Sequence, residues 1–306
     1  MRCIITILGL SNSTNVRYIC NDTEILNLLP NLKENNSINT FTLLNLCKGY
    51  DIIPLYTKDS KIANLKALSK ANINCDNAFD KARQIDDVGD FAEIFNIINE
   101  IIKDYNEVIV DVSHGFRHLP MLVLTQLIIT NLQNSRKICA ILFAKELEQG
   151  KSYEIINLKE YLDLANISYL LSTFDDNYTV ANHIPIGTKY KELFSALKGF
   201  SDNIMALNIK ELFSSFASRL IAELDSNLLA NPAIYDYANE LKEKISKLQK
   251  IYNAKPAYEF YYHLADDLIS KNYILLGLIL LYEGVQEYIY TTIKLKNPNL
   301  ISNSRQ

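Results

Sequence analysis

Residues 108–122 read VIVDVSHGFRHLPML. Val108, Ile109 and Val110 are β-branched and uninterrupted by polar residues, the pattern of a strand buried on both faces. The following run, 117–131, is apolar at helical spacing, with Pro120 in its first turn, where the missing N–H removes no bond. Asp111, Ser113, His114 and Gly115 therefore fall at the carboxyl end of a strand and just ahead of a helix. Ligands of open parallel sheets bind at that end, and the free N–H groups and dipole of a helix N-terminus attract phosphate there. Gly115 lets backbone approach a ligand closely. Ser113 and His114 have donors for phosphate or ribose oxygens, and Arg117 suits bidentate pairing with phosphate or with Asp111. The same residues also fit a plain structural turn, an acidic or hydroxyl N-cap followed by a turn glycine. The residues alone leave both readings open.

Working outward, strands and helices alternate. An apolar run over 2–10 ends in Gly9-Leu10-Ser11-Asn12 and reads as a buried strand followed by a polar loop. Further strands are predicted at 16–20, 51–56, 107–110, 138–143 and 153–157. Pro54 argues against a central place for the second of these. Helices are predicted at 41–47, at 58–70 through Ile62, Leu65 and Leu68, and at 91–105 through Phe91, Ile94, Phe95, Ile98, Ile101 and Ile102. Such alternation predicts a Rossmann-like α/β domain on a parallel sheet. Strands stop near residue 158. Amphipathic stretches then follow at 160–173, 189–208, 209–229, 235–252, 257–270 and 273–295, an all-α region. The expected division is an α/β domain over 1–180 and a helical domain over 188–306, joined at Asn182-His183-Ile184-Pro185-Ile186-Gly187.

Bulk properties narrow the class. With 31 Lys+Arg against 35 Asp+Glu, the net charge of −4 gives no support for a broad nucleic-acid surface, while a local anion site built from backbone N–H groups needs no net charge. The five cysteines are scattered without a C-x-x-C pair, so reduced structural thiols and no metal are expected. The apolar opening is too short for a secretory leader and runs into polar SNSTN. Residues 273–282, YILLGLILLY, are about half the ~20 residues of a spanning helix and predict a buried core helix. A cytoplasmic protein without membrane contact is expected.

The string Asp111-x-Ser113-His114-Gly115-Phe116-Arg117-x-x-Pro120 resembles the DxTHG motif of CRISPR-associated proteins with a CARF domain, Ser113 keeping the hydroxyl of the usual Thr. Residues 4–11, IITILGLS, followed by Tyr18, resemble the family's first strand and its LGTG-like loop, with Leu10-Ser11 replacing the TG. Residues 53–57, IPLYT, resemble the end of its second strand. Residues 86–93 ahead of a helix, and Phe143-Ala144 after a strand, fall in the family's order. The resemblance covers residues 2–175. It implies a homodimer that binds a cyclic oligoadenylate ring across its two-fold axis, the second messenger of type III CRISPR antiviral defence, with no further cofactor. By position it implies ligand contacts at Gly9, Ser11, Asn12, Thr57, Ser113, His114, Gly115 and Arg117.

In such proteins the helical half is usually a HEPN domain, a metal-independent endoribonuclease acting on single-stranded RNA through an Arg followed four to six residues later by His. No such pair occurs in residues 1–306. Arg305 is the candidate for the start of one that is cut off, and reads equally as a tail arginine. Three activities follow from the resemblance: a ligand-gated ribonuclease, a sensor without catalysis, and a ring nuclease that cleaves the ring in the CARF pocket with Ser113 or His114 as donor. A generic nucleotide-binding domain or transcription regulator is a reading from another class, and the absence of a basic helix-turn-helix in the sequence argues against it. His263, with Asp266 three residues on, reads as a common surface pair.

Overall fold

The apolar run at the start of the chain forms strand β1 (Arg2–Ile7) of an eight-stranded sheet in the computed structural model, which describes residues 1–10, 14–73, 77–85, 91–115, 118–134, 137–228 and 232–296. The elements that follow are β2 (Val16–Ile19), α1 (Thr23–Leu28), β3 (Glu34–Ser37), α2 (Thr40–Leu44), β4 (Asp51–Tyr56), α3 (Lys58–Lys70), β5 (Arg83–Gln84), α4 (Phe91–Asp104), β6 (Glu107–Asp111), α5 (His118–Asn134), β7 (Ile138–Glu148), β8 (Ser152–Asn157) and α6 (Lys159–Asn177). The chain divides into two units, Met1–Asn166 with His183–Pro185, and Ile167–Asn182 with Ile186–Gln306.

The sheet order is β3-β2-β8-β7-β6-β1-β4-β5. Its core, β7-β6-β1-β4-β5, is parallel, as the alternating pattern predicts. The rest is mixed, with β2 parallel to β8 and two antiparallel pairs. β8 pairs antiparallel with β7, and β2 antiparallel with β3. The reason is connection length. Residues 149–151 alone join β7 to β8, too few for a parallel crossover of about a dozen residues. β3 (ENNS) and β5 (RQ) carry no apolar alternation, so nothing in the pattern announces them, and polar edge strands discourage pairing with other chains. Pro54 sits one strand in from the edge, opposite Thr6 of β1. The ladder to β5 begins only at Leu55, so the missing Pro54 N–H breaks no bond on that side.

Strand side chains alternate between two cores. Cys3, Ile5, Ile7, Val108 and Val110 pack with Ile94, Ile98, Ile101 and Ile102 of α4 and Leu119, Val123 and Leu127 of α5. On the opposite face Ile4, Ile109, Ala140 and Leu142 pack with Ile25 of α1 and Leu43 and Leu44 of α2. The period of two places Thr6 and Asp111 on this second face, toward α2. The buried side of α3 differs from the predicted stripe. Ile62 is 56% exposed, and the buried residues are Ser60, Asn64, Ala67 and Leu68. That helix turns polar side chains inward because it borders the site described below.

Among the described residues the second unit is helical: α7 (Lys191–Met205), α8 (Ile209–Glu211), a π-helical turn Leu212–Phe216, α9 (Ala217–Leu228), α10 (Tyr235–Ala254), α11 (Ala257–Ser270) and α12 (Ile274–Lys296). Buried Phe174, Tyr178, Phe200, Phe213 and Phe260 form its aromatic core. The predicted core helix over 273–282 is buried on one side only. Gly277, Leu280 and Gly284 of α12 are buried, whereas Leu275, Leu278, Tyr282, Val285 and Ile289 are exposed. Small residues let α12 lie close against α11, and its outer side stays apolar. No helix among the described residues is long and apolar enough to cross a membrane.

Candidate functional site

β1 lies between β4 and β6. After β2 and β3 at the far end of the sheet, the chain fills β4 and β5 on one side of β1, then returns to β6 and β7 on the other. This reversal opens a crevice at the carboxyl ends of β1 and β6, the position where doubly wound sheets hold ligands. The two loops that leave those strands meet there. A Cβ on Gly9 would stand 3.0 Å from Gly115 N and 3.3 Å from His114 Cβ. Gly115 has φ +107°, and a Cβ on it would meet Ile7 Cγ2 at 2.5 Å. The sequence reading gives Gly115 a role in close approach to a ligand. In the structure the close neighbours are Ile7 and Gly9 of the protein itself.

Asp111 is fully buried. Its Oδ2 accepts from Thr6 Oγ1 at 2.8 Å and Thr40 Oγ1 at 2.7 Å. Its Oδ1 accepts from Ser113 N at 3.0 Å and Ser113 Oγ at 2.5 Å. Four donors satisfy the carboxylate, as a buried charge requires. Asp111 therefore ties β1, β6 and the start of α2 together. Ser113 Oγ in turn accepts from Ala144 N at 2.8 Å. The hydroxyl proton predicted to face a ligand is thus directed at Asp111, leaving one lone pair for any other contact.

His114 Nε2 accepts from Thr40 N at a long 3.5 Å. That places the imidazole proton on Nδ1. Burial holds its pKa below the ordinary 6.5, against the opposing pull of the Asp111 carboxylate. His114 is neutral at neutral pH and offers a donor through Nδ1.

Two cavities flank the Gly9 loop. One, of about 640 Å³, is lined by Leu8, Gly9, Leu10, Thr57, Lys58, Asp59, Ser60, Gln84, Ile85 and Gly115. The other, of about 200 Å³, is lined by Tyr18, Asn39, Asn64, Ser113, His114, Ala144 and Tyr153 together with Leu8, Gly9 and Leu10. Thr57 caps α3 in a reciprocal capping box with Ser60, and the first turn of that helix, Lys58 and Asp59 included, lines the larger cavity. Five predicted site residues, Gly9, Thr57, Ser113, His114 and Gly115, thus gather at one edge of the sheet. Ser11, Asn12, Arg117 and Arg305 lie outside the described residues.

Several residues at this edge have no place in the sequence reading: Thr6, Asn39, Thr40, Asn64 and Ser60. Asn39 caps α2 in a capping box with Thr42, a pattern visible in the sequence as Asn-x-x-Thr. The buried Asn64 had no such signal, since it sits among residues that mimic an amphipathic stripe.

Among the described residues no cluster of three or more His, Cys, Asp or Glu is placed to hold a metal. In the helical unit His263 lines an apolar groove of about 350 Å³ with Tyr258, Tyr262, Gly284, Val285 and Tyr288. Arg219 pairs with Glu192 at 3.1 Å.

Fold and site define an α/β ligand-binding domain with its crevice at the reversal point of the sheet. A family model described as the CARF domain of CRISPR system endoribonuclease Csx1 matches residues 3–146. Over those residues the N-terminal part of this chain matches the CARF domain of CRISPR-associated proteins. Among solved structures, Enterococcus italicus Csm6 bound to cyclic hexa-2'-fluoro-hexa-dAMP is similar over 87% of this chain, with 10% identity and a TM-score of 0.41. The chain spans 65% of the length of that protein's chain, less than two thirds. No curated protein matches it in sequence.

Proposed function

We propose that the CARF domain binds a cyclic oligoadenylate as a sensor in type III CRISPR antiviral defence. The observation that carries this reading is the meeting of the β1 and β6 loops at Gly9 and Gly115, beside a cavity of about 640 Å³, in a domain of the CARF family. The site suits a phosphate-bearing ligand. Lys58 and the first turn of α3 border the larger cavity, where a cation and the helix dipole favour anions against the opposing charge of Asp59. Neutral His114 adds a donor from the smaller one. A ring with two-fold symmetry is read efficiently by two copies of one patch, so the functional unit is a homodimer. The exposed apolar side of α12 is consistent with further burial by a partner copy.

The helical unit is the output half, as a HEPN-type ribonuclease acting on single-stranded RNA. A second reading, a sensor that passes its signal on without cleaving RNA, is favoured by one observation. In residues 1–306 no Arg is followed four to six residues later by His, and Arg219 is held by Glu192.

Calorimetric titration with cyclic tri-, tetra- and hexa-adenylate tests the sensor. The expected result is tight binding of one ring per two chains, with the ring recovered intact by mass spectrometry. No binding of any ring overturns the reading, and linear products make the domain a ring nuclease. A fluorogenic RNA reporter, with and without the bound ring, separates the two readings of the helical unit.

A further inference from the structure

The small cavity has a polar wall that no motif explains. Asn64, in the middle of α3, is 1% exposed. Its Nδ2 donates to the Gly9 carbonyl at 2.9 Å and to the Ser60 carbonyl at 2.8 Å. Its Oδ1 accepts from Asn39 Nδ2 at 2.7 Å. Asn39 is itself fixed, because its Oδ1 caps α2 by accepting from Thr42 N at 2.8 Å. A buried side-chain amide bonded at both ends has one orientation. The Gly9 carbonyl is therefore aimed by a chain of contacts that begins at the α2 cap.

Peptide planarity carries that constraint one atom group further. In a trans peptide the C=O and the following N–H point in opposite directions. With the Gly9 oxygen held toward Asn64, the Leu10 N–H points away from it. Leu10 is 75% exposed and lines both cavities, and its N–H has no hydrogen-bond partner among the described residues.

The geometry points to Asn64 as a positioning residue that aims the Leu10 N–H as a backbone donor for an anionic oxygen of the bound ligand. This deepens the sensor reading and rests on it for the identity of the ligand. Asn64 does not touch the ligand's anion. It acts through the Gly9–Leu10 peptide, which a flexible glycine would otherwise leave free to rotate.

The chain offers a direct test. Gly-Leu occurs twice, at Gly9-Leu10 and Gly277-Leu278. Protein labelled with carbonyl-13C glycine and 15N leucine therefore gives two correlations, one at the site and one internal reference in the helical unit. Asn64→Asp keeps the size and the acceptor facing Asn39, and replaces the donor facing Gly9 with a carboxylate oxygen. The expected result, without ligand, is a shift of the Gly9–Leu10 peak and an unmoved Gly277–Leu278 peak. In the wild type, adding the cyclic adenylate that binds should shift the Leu10 N–H. The variant should bind that ring about ten-fold more weakly, the affinity equivalent of one hydrogen bond.

Asn39→Asp is the second variant, since it keeps the oxygen that caps α2 and replaces the donor to Asn64 with a carboxylate oxygen. It should move the Gly9–Leu10 peak and weaken binding in the same direction, with a lower unfolding midpoint because two buried acceptors then face each other. An unmoved Gly9–Leu10 peak in Asn64→Asp overturns the inference whether or not any ring binds. So does wild-type affinity in both variants. If the wild type binds no ring while the Gly9–Leu10 peak still moves in the variant, the sensor reading fails and the hold of Asn64 on Gly9 stands.

Discussion

Gly9 and Gly115 face each other backbone to backbone, with room for a hydrogen and no more: a Cβ on Gly9 would come to 3.0 Å from the Gly115 nitrogen. The two glycines differ in what they tolerate. Gly115 also has φ +107° and Ile7 Cγ2 only 2.5 Å from where its Cβ would stand. Gly115→Ala is expected to lower stability by about 1–3 kcal/mol from backbone strain alone, with more from the Ile7 clash. Gly9→Ala has no such conformational penalty and should lower it less, while pushing the β1 and β6 loops apart. Urea unfolding of the two variants checks the order. A Gly115→Ala protein as stable as the wild type would mean that the β6 loop is not held in this conformation.

The buried carboxylate of Asp111 is the next dependence. Four donors converge on it from Thr6, Thr40 and Ser113. Asn can keep its oxygen toward Ser113 N, but its NH2 then faces Thr6 Oγ1 and Thr40 Oγ1, which must turn to accept, and the charge that strengthened all four bonds is lost. Hydrogen bonds to a carboxylate are worth about 1.5–3 kcal/mol against about 1 for neutral ones, so Asp111→Asn is expected to lower stability by about 1–3 kcal/mol. Asp111→Glu should not restore it, because the longer side chain does not fit between residues paired in register on adjacent strands. Unfolding midpoints in urea decide both.

The parallel centre of the sheet was legible because β1, β6 and the start of β7 are buried on both faces and written in β-branched residues, and α4 because its isoleucines recur at helical spacing. Legibility ended where pattern and environment part. β3 and β5 are polar edge pieces, and β8 reverses because a short turn joins it to β7. At the site, the loop glycines and His114 stood out by their place after strands. The place of Ser113 after the strand marks it as a donor to a ligand, whereas in the structure its hydroxyl turns to Asp111 and Ala144. Asn64 was hidden, because nothing local marks a buried asparagine whose partners lie 25 and 55 residues away.

His114 gives the domain a pH dependence of definite sign. Its pKa is lowered by burial from the ordinary 6.5, so the unfolded chain binds a proton at this residue more readily than the folded one. Stability linked to His114 is complete above about pH 6.5 and is lost as pH falls from there toward the lower folded value. Protonation also removes the lone pair that accepts from Thr40 N. His114→Gln, which does not titrate, should flatten the fall in unfolding free energy between roughly pH 7.5 and pH 5.5. Equal slopes for wild type and variant would show that His114 titrates alike in both states.

Ser113 separates positioning from ligand contact. Its hydroxyl donates to Asp111 and accepts from the Ala144 amide. Ser113→Ala removes both bonds and leaves a strand amide at the cavity wall without its partner, an expected loss of about 1–3 kcal/mol in stability. Ser113→Thr keeps the hydroxyl, and its added methyl borders the smaller cavity that Ser113 lines. If the hydroxyl acts by holding the loop, Ser113→Thr should match the wild type in both stability and ring affinity, while Ser113→Ala loses both together. If it is a ligand donor, Ser113→Ala should lose affinity with little change in unfolding midpoint. Calorimetry and urea unfolding on the same preparations distinguish the two. The bonds to Asp111 and Ala144 predict the first outcome, because the single proton of a hydroxyl cannot be given to Asp111 and to a phosphate at once.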